Sequence, residues 1–166
     1  MKQIKVEKLN AEGFRLFGSY LALDEVFTSE EYSSDWTFEL YRGDNLTMSL
    51  GKTNTVAGFS FGLLKKRPLV VKELQSHCHT EKTILLEKDS ILVVAPVVVG
   101  NKIGESRARA FLVPSGTLVK LNFSTWYSVP FLVEEEACLY AQCEALRTYS
   151  ADTDYYTLEE EINLVL

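Results

Sequence analysis

Histidine is the scarcest chemistry-bearing residue of this chain: His77 and His79 are the only two among 166 residues. A site needing three imidazole ligands is therefore excluded. Long hydrophobic runs are missing too. The longest, Ser90–Gly100, is about half of the roughly 18–20 residues a membrane span needs, and it contains Pro96. The opening Met1-Lys-Gln-Ile-Lys lacks the apolar stretch of a secretory signal. The sequence thus reads as cytoplasmic, with no membrane partner. No basic cluster exceeds Lys65-Lys66-Arg67, and 17 basic residues face 23 acidic ones for a net charge of −6. That balance argues against nucleic acid as a partner. Cysteine is sparse and odd in number. Cys138 and Cys143 are spaced as neither a redox pair nor a zinc knuckle, so these two and Cys78 read as reduced core thiols. No nucleophile elbow, P-loop, dinucleotide-binding glycine pattern or HExxH is present.

What remains is an ordinary globular composition, 46% hydrophobic and 24% charged, that fits one domain over residues 1–166. Ile4–Leu9 alternates as a strand. Asn10 is placed to cap a short helix carrying Phe14 and Phe17 on one face, with Gly18 to stop it. Tyr20–Phe27, Trp36–Tyr41, Thr47–Leu50 and Val56–Leu64 read as further strands, with a turn at Gly43-Asp44-Asn45. Beyond the basic turn ending at Pro68, seven short segments rich in Val, Leu, Ile and Phe follow: Leu69–Leu74, Lys82–Glu87, Ile91–Val99, Arg107–Val113, Leu118–Phe123, Ser128–Glu134 and Ala137–Glu144. That many short strands at 8–12-residue spacing predicts an all-β fold with minor helix, a sandwich or barrel. Residues 134–147 also fit helical spacing, but the alternation of Cys138, Tyr140 and Gln142 with their neighbours favours a strand.

Three groups of residues could carry chemistry. On one strand, His77, His79 and Glu81 would project from the same face, the composition of a facial metal triad. Alternate residues over that length span roughly 13 Å, so at most two could share an ion. The same residues could act as acid and base without metal, or a single histidine could simply be hydrogen-bonded at the sheet margin. Arg107 and Arg109 share a face with Phe111 and could clamp a carboxylate, as could Lys82 and Lys120. Either set could equally lie on the outer face of a sheet. Trp126 and Tyr127, just after a turn, could line a ligand site or close the core. An enzymatic reading expects His77 and at least one arginine to open onto one cavity.

The order of segments resembles the ureidoglycolate lyase (ureidoglycolate hydrolase) family. The likeness is carried by Pro68-Leu-Val-Val-Lys-Glu-Leu-Gln-Ser-His77, Thr83-Ile-Leu-Leu-Glu-Lys, Ile91-Leu-Val-Val-Ala-Pro-Val, Arg109-Ala-Phe-Leu-Val, Gly116, Thr125-Trp126 and Pro130, with Leu9, Phe14, Gly18 and Asp154…Leu158-Glu159-Glu160-Glu161 at the two ends. The resemblance implies a cupin-like antiparallel β-barrel or jelly roll and a homodimer. It also implies the splitting of ureidoglycolate into glyoxylate and urea, late in allantoin breakdown. The chain departs from the family at Lys82, where a glutamine is usual, and at Ser128 and Val129, which replace two histidines. Val119 stands at the histidine position of the second cupin motif, after the Pro114-Ser-Gly116 turn.

Such a reaction needs a base, an acid and a cation. On this reading His77 or Glu81 is the base and His77 or Tyr127 the acid. Arg107, Arg109 or Lys120 would hold a small carboxylate, with Lys82 and Trp126 also in the binding set. No cofactor is expected. Two alternatives stand beside it: a cupin that binds small carboxylates without catalysis, and a metal-dependent isomerase or oxygenase using His77 and His79.

Overall fold

The computed structural model describes residues 2–26, 44–52, 54–98 and 102–166. The chain begins with strand β1 (Lys2–Lys8) and one helical turn, α1 (Ala11–Phe14). As the sequence suggests, the Asn10 side chain accepts a hydrogen bond from the Gly13 amide at 2.8 Å. Asn10→Ala should cost about 1 kcal/mol, measurable by urea denaturation. Phe14 and Phe17 turn inward and pack against Tyr20 and Phe111, with ring centroids 5.4–6.3 Å apart.

The strands that follow are β2 (Gly18–Ala22), β3 (Ala57–Lys65), β4 (Val70–Ser76), β5 (Lys82–Leu86), β6 (Ser90–Ala95), a small hairpin of β7 (Val97–Val98) and β8 (Lys102–Ile103), β9 (Arg109–Val113), β10 (Thr117–Leu121), β11 (Trp126–Tyr127), β12 (Phe131–Leu132) and β13 (Ala137–Ala145). A second helical turn, α2 (Thr148–Ala151), leads into β14 (Asp154–Val165). They assemble into a seven-stranded sheet, β11-β4-β14-β1-β9-β6-β12, and a five-stranded one, β2-β10-β5-β13-β3. Because β11 also bonds β6, the larger sheet closes on itself into a barrel, and the smaller sheet packs against one side of it.

Two cores result. Every strand around the closed sheet contributes to the first, which includes Val71, Leu74, Ile91, Val93, Ala110, Trp126 and Ile162, so this core is the barrel's interior. The second lies between the two sheets and includes Phe14, Ile84, Leu86, Leu92, Val94, Phe111, Val119 and Tyr127. Strand β6 serves both: Ile91 and Val93 face the first core, Leu92 and Val94 the second. A strand covered on both faces needs no polar alternation, which explains the unbroken apolar run in the sequence.

The strand favoured within residues 134–147 is present, over Ala137–Ala145. Several other sequence expectations need correction. The acidic tail is the longest strand, and it runs parallel to β1, which on its other side runs parallel to β9. Alternation cannot reveal such pairing, because it needs partners far away in sequence. Thr47–Leu50 is not a strand. Arg107 belongs to a 3-10 turn, Glu105–Arg107, so it does not share a strand face with Arg109. Strand β4 ends at Ser76, so His77, His79 and Glu81 lie in the β4–β5 loop and lose the common face a strand would give them. Cys138 is buried while Cys78 and Cys143 are half-buried, and none of the three is in a disulfide. The expected strand Trp36–Tyr41 lies outside the described residues.

Candidate functional site

Sheet alternation and one loop bring four polar side chains together in the inter-sheet core. Tyr127 on β11 points away from Trp126, into the space where β5 and β13 present alternate residues. From β5 comes Lys82, on the same side as Ile84 and Leu86, and from β13 comes Glu144, last of the inward row Cys138, Tyr140, Gln142 and Glu144. His77 enters from the end of β4. All four are buried.

The distances define one cluster. The Tyr127 hydroxyl is 2.6 Å from His77 Nε2, and His77 Nδ1 is 2.9 Å from the Asp152 carbonyl oxygen. A carbonyl can only accept, so Nδ1 carries the proton, and the lone pair of Nε2 accepts from the tyrosine. The Thr153 hydroxyl lies 3.3 Å from Nδ1 and supports the same side of the ring. Lys82 Nζ is 2.9 Å from Glu144 Oε2, which in turn lies 3.5 Å from His77 Nε2. The contact with Lys82 is an ion pair by distance, but its alignment is poor for a hydrogen bond, so Oε2 keeps accepting capacity. Lys82 Nζ also sits 5.4 Å from the centre of the Tyr127 ring.

Burial sets the charge states. It holds the His77 imidazole below its usual pKa, only partly offset by the Asp152 carbonyl, so the ring is neutral near pH 7. The Tyr127 hydroxyl is pushed well above the ordinary phenol range, first by desolvation and then by the Glu144 carboxylate, so it stays protonated and donates. Burial also lowers the Lys82 ammonium, and Glu144 opposes that shift. The His77 shift has a stability consequence. A pKa lowered by folding means that the unfolded chain binds the extra proton first, so stability is full above about pH 6.5 and is lost as pH falls toward the lowered folded value. Urea unfolding between pH 7.5 and 5 should therefore show a steeper loss for the wild type than for His77→Gln.

The remaining sequence candidates go elsewhere. Glu81 and Lys120 pair with each other at 2.9 Å, and Glu81 Oε2 also accepts from the Ser49 amide at 2.7 Å. Lys120 alternates with the inward Val119 and Leu121, so this pair lies on the outer face of the five-stranded sheet. Arg109 shares the face of Phe111 and is in register with Val94, which is in register with Tyr127, so two strand spacings (about 10 Å) separate it from the tyrosine. Its guanidinium is already committed to both oxygens of Glu7 and to the Gly13 carbonyl. Arg107 is exposed on its turn. Trp126 packs in the barrel interior, against Tyr156. The expected convergence of His77 with an arginine does not occur; Lys82 is the cation beside it. His79 is exposed and binds the Asp152 carboxylate at 2.7 Å.

Both nitrogens of His77 are engaged, His79 Nδ1 lies on the Asp152 carboxylate, and no group of three or more potential ligands is arranged around a common point among the described residues. The pair does not fit a cupin metal centre. Glu144 was legible in principle, as the carboxylate that ends the alternating row Cys138, Tyr140, Gln142. Asp152 and Thr153 reach His77 from 75 and 76 residues away, and no local pattern marks them.

No family model matches the sequence, and no curated protein matches it. Solved structures do. A dTDP sugar isomerase from Desulfovibrio desulfuricans G20 aligns with a TM-score of 0.50 and 15% identity over 73% of this chain and 74% of that one. Oxalate decarboxylase from Bacillus subtilis aligns with a TM-score of 0.40 and 14% identity over 60% of this chain and only 24% of that one. At such identity the likeness is one of architecture alone: the chain has a cupin-like fold.

Proposed function

We propose that the inter-sheet cluster is an acid–base site for a small hydroxy acid, and that its reaction is of the ureidoglycolate lyase type. The observation that supports this most is the contact between the Tyr127 hydroxyl and Nε2 of a neutral His77, beside the ammonium of Lys82. In the lyase reaction the substrate hydroxyl loses its proton, the carbon–nitrogen bond breaks and the departing urea nitrogen gains a proton, so no net proton is consumed. Tyr127 can take the hydroxyl proton while passing its own to His77 Nε2, and the same path run backwards protonates urea. Lys82 has three donors, so it can keep Glu144 and still bind the substrate carboxylate. Glu81, Arg107, Arg109, Lys120 and Trp126 have no part in this scheme.

The test is incubation of the protein with ureidoglycolate, following glyoxylate. Release above the buffer rate, abolished in Lys82→Met, supports the lyase; no release removes it. A second reading, a carboxylate-binding protein without catalysis, is favoured by the internal pairing of Lys82 with Glu144 and by Ser128, whose hydroxyl is spent on the Val93 amide at 3.2 Å. Thermal stabilisation by small carboxylates that are never consumed distinguishes that reading.

A further inference from the structure

Asp152 meets the acid–base cluster with its main chain and its side chain at once. Its carbonyl oxygen accepts the His77 Nδ1 proton at 2.9 Å. Its carboxylate accepts from the β4–β5 loop just beyond His77: from the Cys78 amide at 3.1 Å, the His79 amide at 2.8 Å and His79 Nδ1 at 2.7 Å. The rest of the joint braces α2 on the strand that carries Glu144. Thr148 Oγ1 donates to the Ala145 carbonyl at 2.6 Å, the Asp152 amide to the Thr148 carbonyl at 2.9 Å, and the Ala145 amide to Thr80 Oγ1 at 3.2 Å. Asp152 itself lies between α2 and β14, at φ −144° and ψ 34°, neither helical nor extended. No helix or sheet ladder therefore sets the direction of its carbonyl.

The geometry points to Asp152 as the positioning residue of the acid–base site: its carboxylate grips the loop so that its own carbonyl faces His77 Nδ1 and Nε2 stays free to accept. The inference rests on the reading of His77 as the base in that site. The tautomer needs such a device because it is contested. His77 Nε2 faces the Tyr127 hydroxyl at 2.6 Å but also the Glu144 carboxylate at 3.5 Å, and Glu144 Oε2 has accepting capacity to spare. A proton moved to Nε2 would serve that carboxylate and leave the ring unable to take one from Tyr127. Thr153 does not settle the choice. Its hydroxyl lies 3.3 Å from Nδ1, and a hydroxyl can serve either tautomer, whereas a carbonyl serves only a ring with the proton on Nδ1.

Nitrogen NMR of the labelled full chain at neutral pH reads the tautomer. Asp152→Ala keeps the carbonyl and removes its anchor. The His77 tautomer ratio should shift about tenfold toward the proton on Nε2, the weight of roughly one hydrogen bond, and the two ring signals should move toward each other. His79→Ala removes the ring contact but leaves both amide contacts, so its His77 signals should match the wild type. If the lyase reading holds, Asp152→Ala should also lower kcat by about 10–100-fold with KM nearly unchanged, because Lys82 still holds the substrate carboxylate. Should Asp152→Ala fail to fold by circular dichroism, Asp152→Asn decides by the same shift, since its carboxamide has one acceptor oxygen for two amides. Wild-type ring signals in the folded variant, even with a lower Tm, overturn the inference and leave the lyase standing. A shift in His79→Ala as large as in Asp152→Ala overturns it too. Absence of turnover in the wild type removes the lyase alone, and the tautomer shift still decides the role of Asp152.

Discussion

Glu144→Ala should be the most destabilising single change in the inter-sheet core. It removes the carboxylate in contact with the Lys82 ammonium, and both side chains are less than a tenth exposed. Breaking one half of a buried pair leaves an uncompensated charge and costs about 3–5 kcal/mol. For a chain of this length each kcal/mol moves Tm by roughly 2–4 °C, so a fall on the order of 10 °C is expected. The double replacement Lys82→Met, Glu144→Leu should restore most of that loss, because two apolar side chains of similar volume leave nothing unpaired. Calorimetric scans of the three variants check this. If the double variant is as unstable as Glu144→Ala, the pair is not the coupled unit the geometry describes.

Tyr127→Phe should have a different profile, a smaller loss of stability than Glu144→Ala with a large loss in chemistry. The ring keeps its packing, and the only loss is the hydroxyl that meets His77 Nε2. Leaving the Nε2 acceptor unpaired costs about 1–3 kcal/mol. If Tyr127 passes the proton between substrate and His77, turnover of ureidoglycolate should fall by about 10²–10⁴-fold. Glyoxylate release by folded Tyr127→Phe, compared with wild type, reads this directly. Unchanged turnover would assign the proton to another group.

These two experiments concern residues that the sequence marked unevenly, for a physical reason. Alternation within a strand reports which side chains share a face, so an all-β chain was legible from local pattern, as were Phe14 and Phe17 on one face of the short helix. Alternation cannot report which faces meet. Arg109 was a sound candidate by its inward position beside Phe111, yet Glu7, which neutralises it, stands 102 residues earlier in the chain. Glu81 was chosen for a strand that ends five residues too early, and once in a loop it turns to Lys120 instead. Trp126 and Tyr127 are adjacent, so one of them had to face away from any site on that strand. Which one depended on the closure of the larger sheet through β11, a pairing that no short window of sequence contains.

The scarcity of histidine makes the central claim accessible to one spectrum. With only two imidazoles in the chain, nitrogen NMR of labelled protein resolves both, and His77→Gln assigns them. At pH 7 His77 should be neutral, with the proton on Nδ1 and an unprotonated, hydrogen-bonded Nε2, and a small hydroxy acid such as glycolate should shift its Nε2 signal while leaving the His79 ring unmoved. A His77 that is protonated on Nε2, or that ignores the acid at saturating concentration, would contradict the acid–base site.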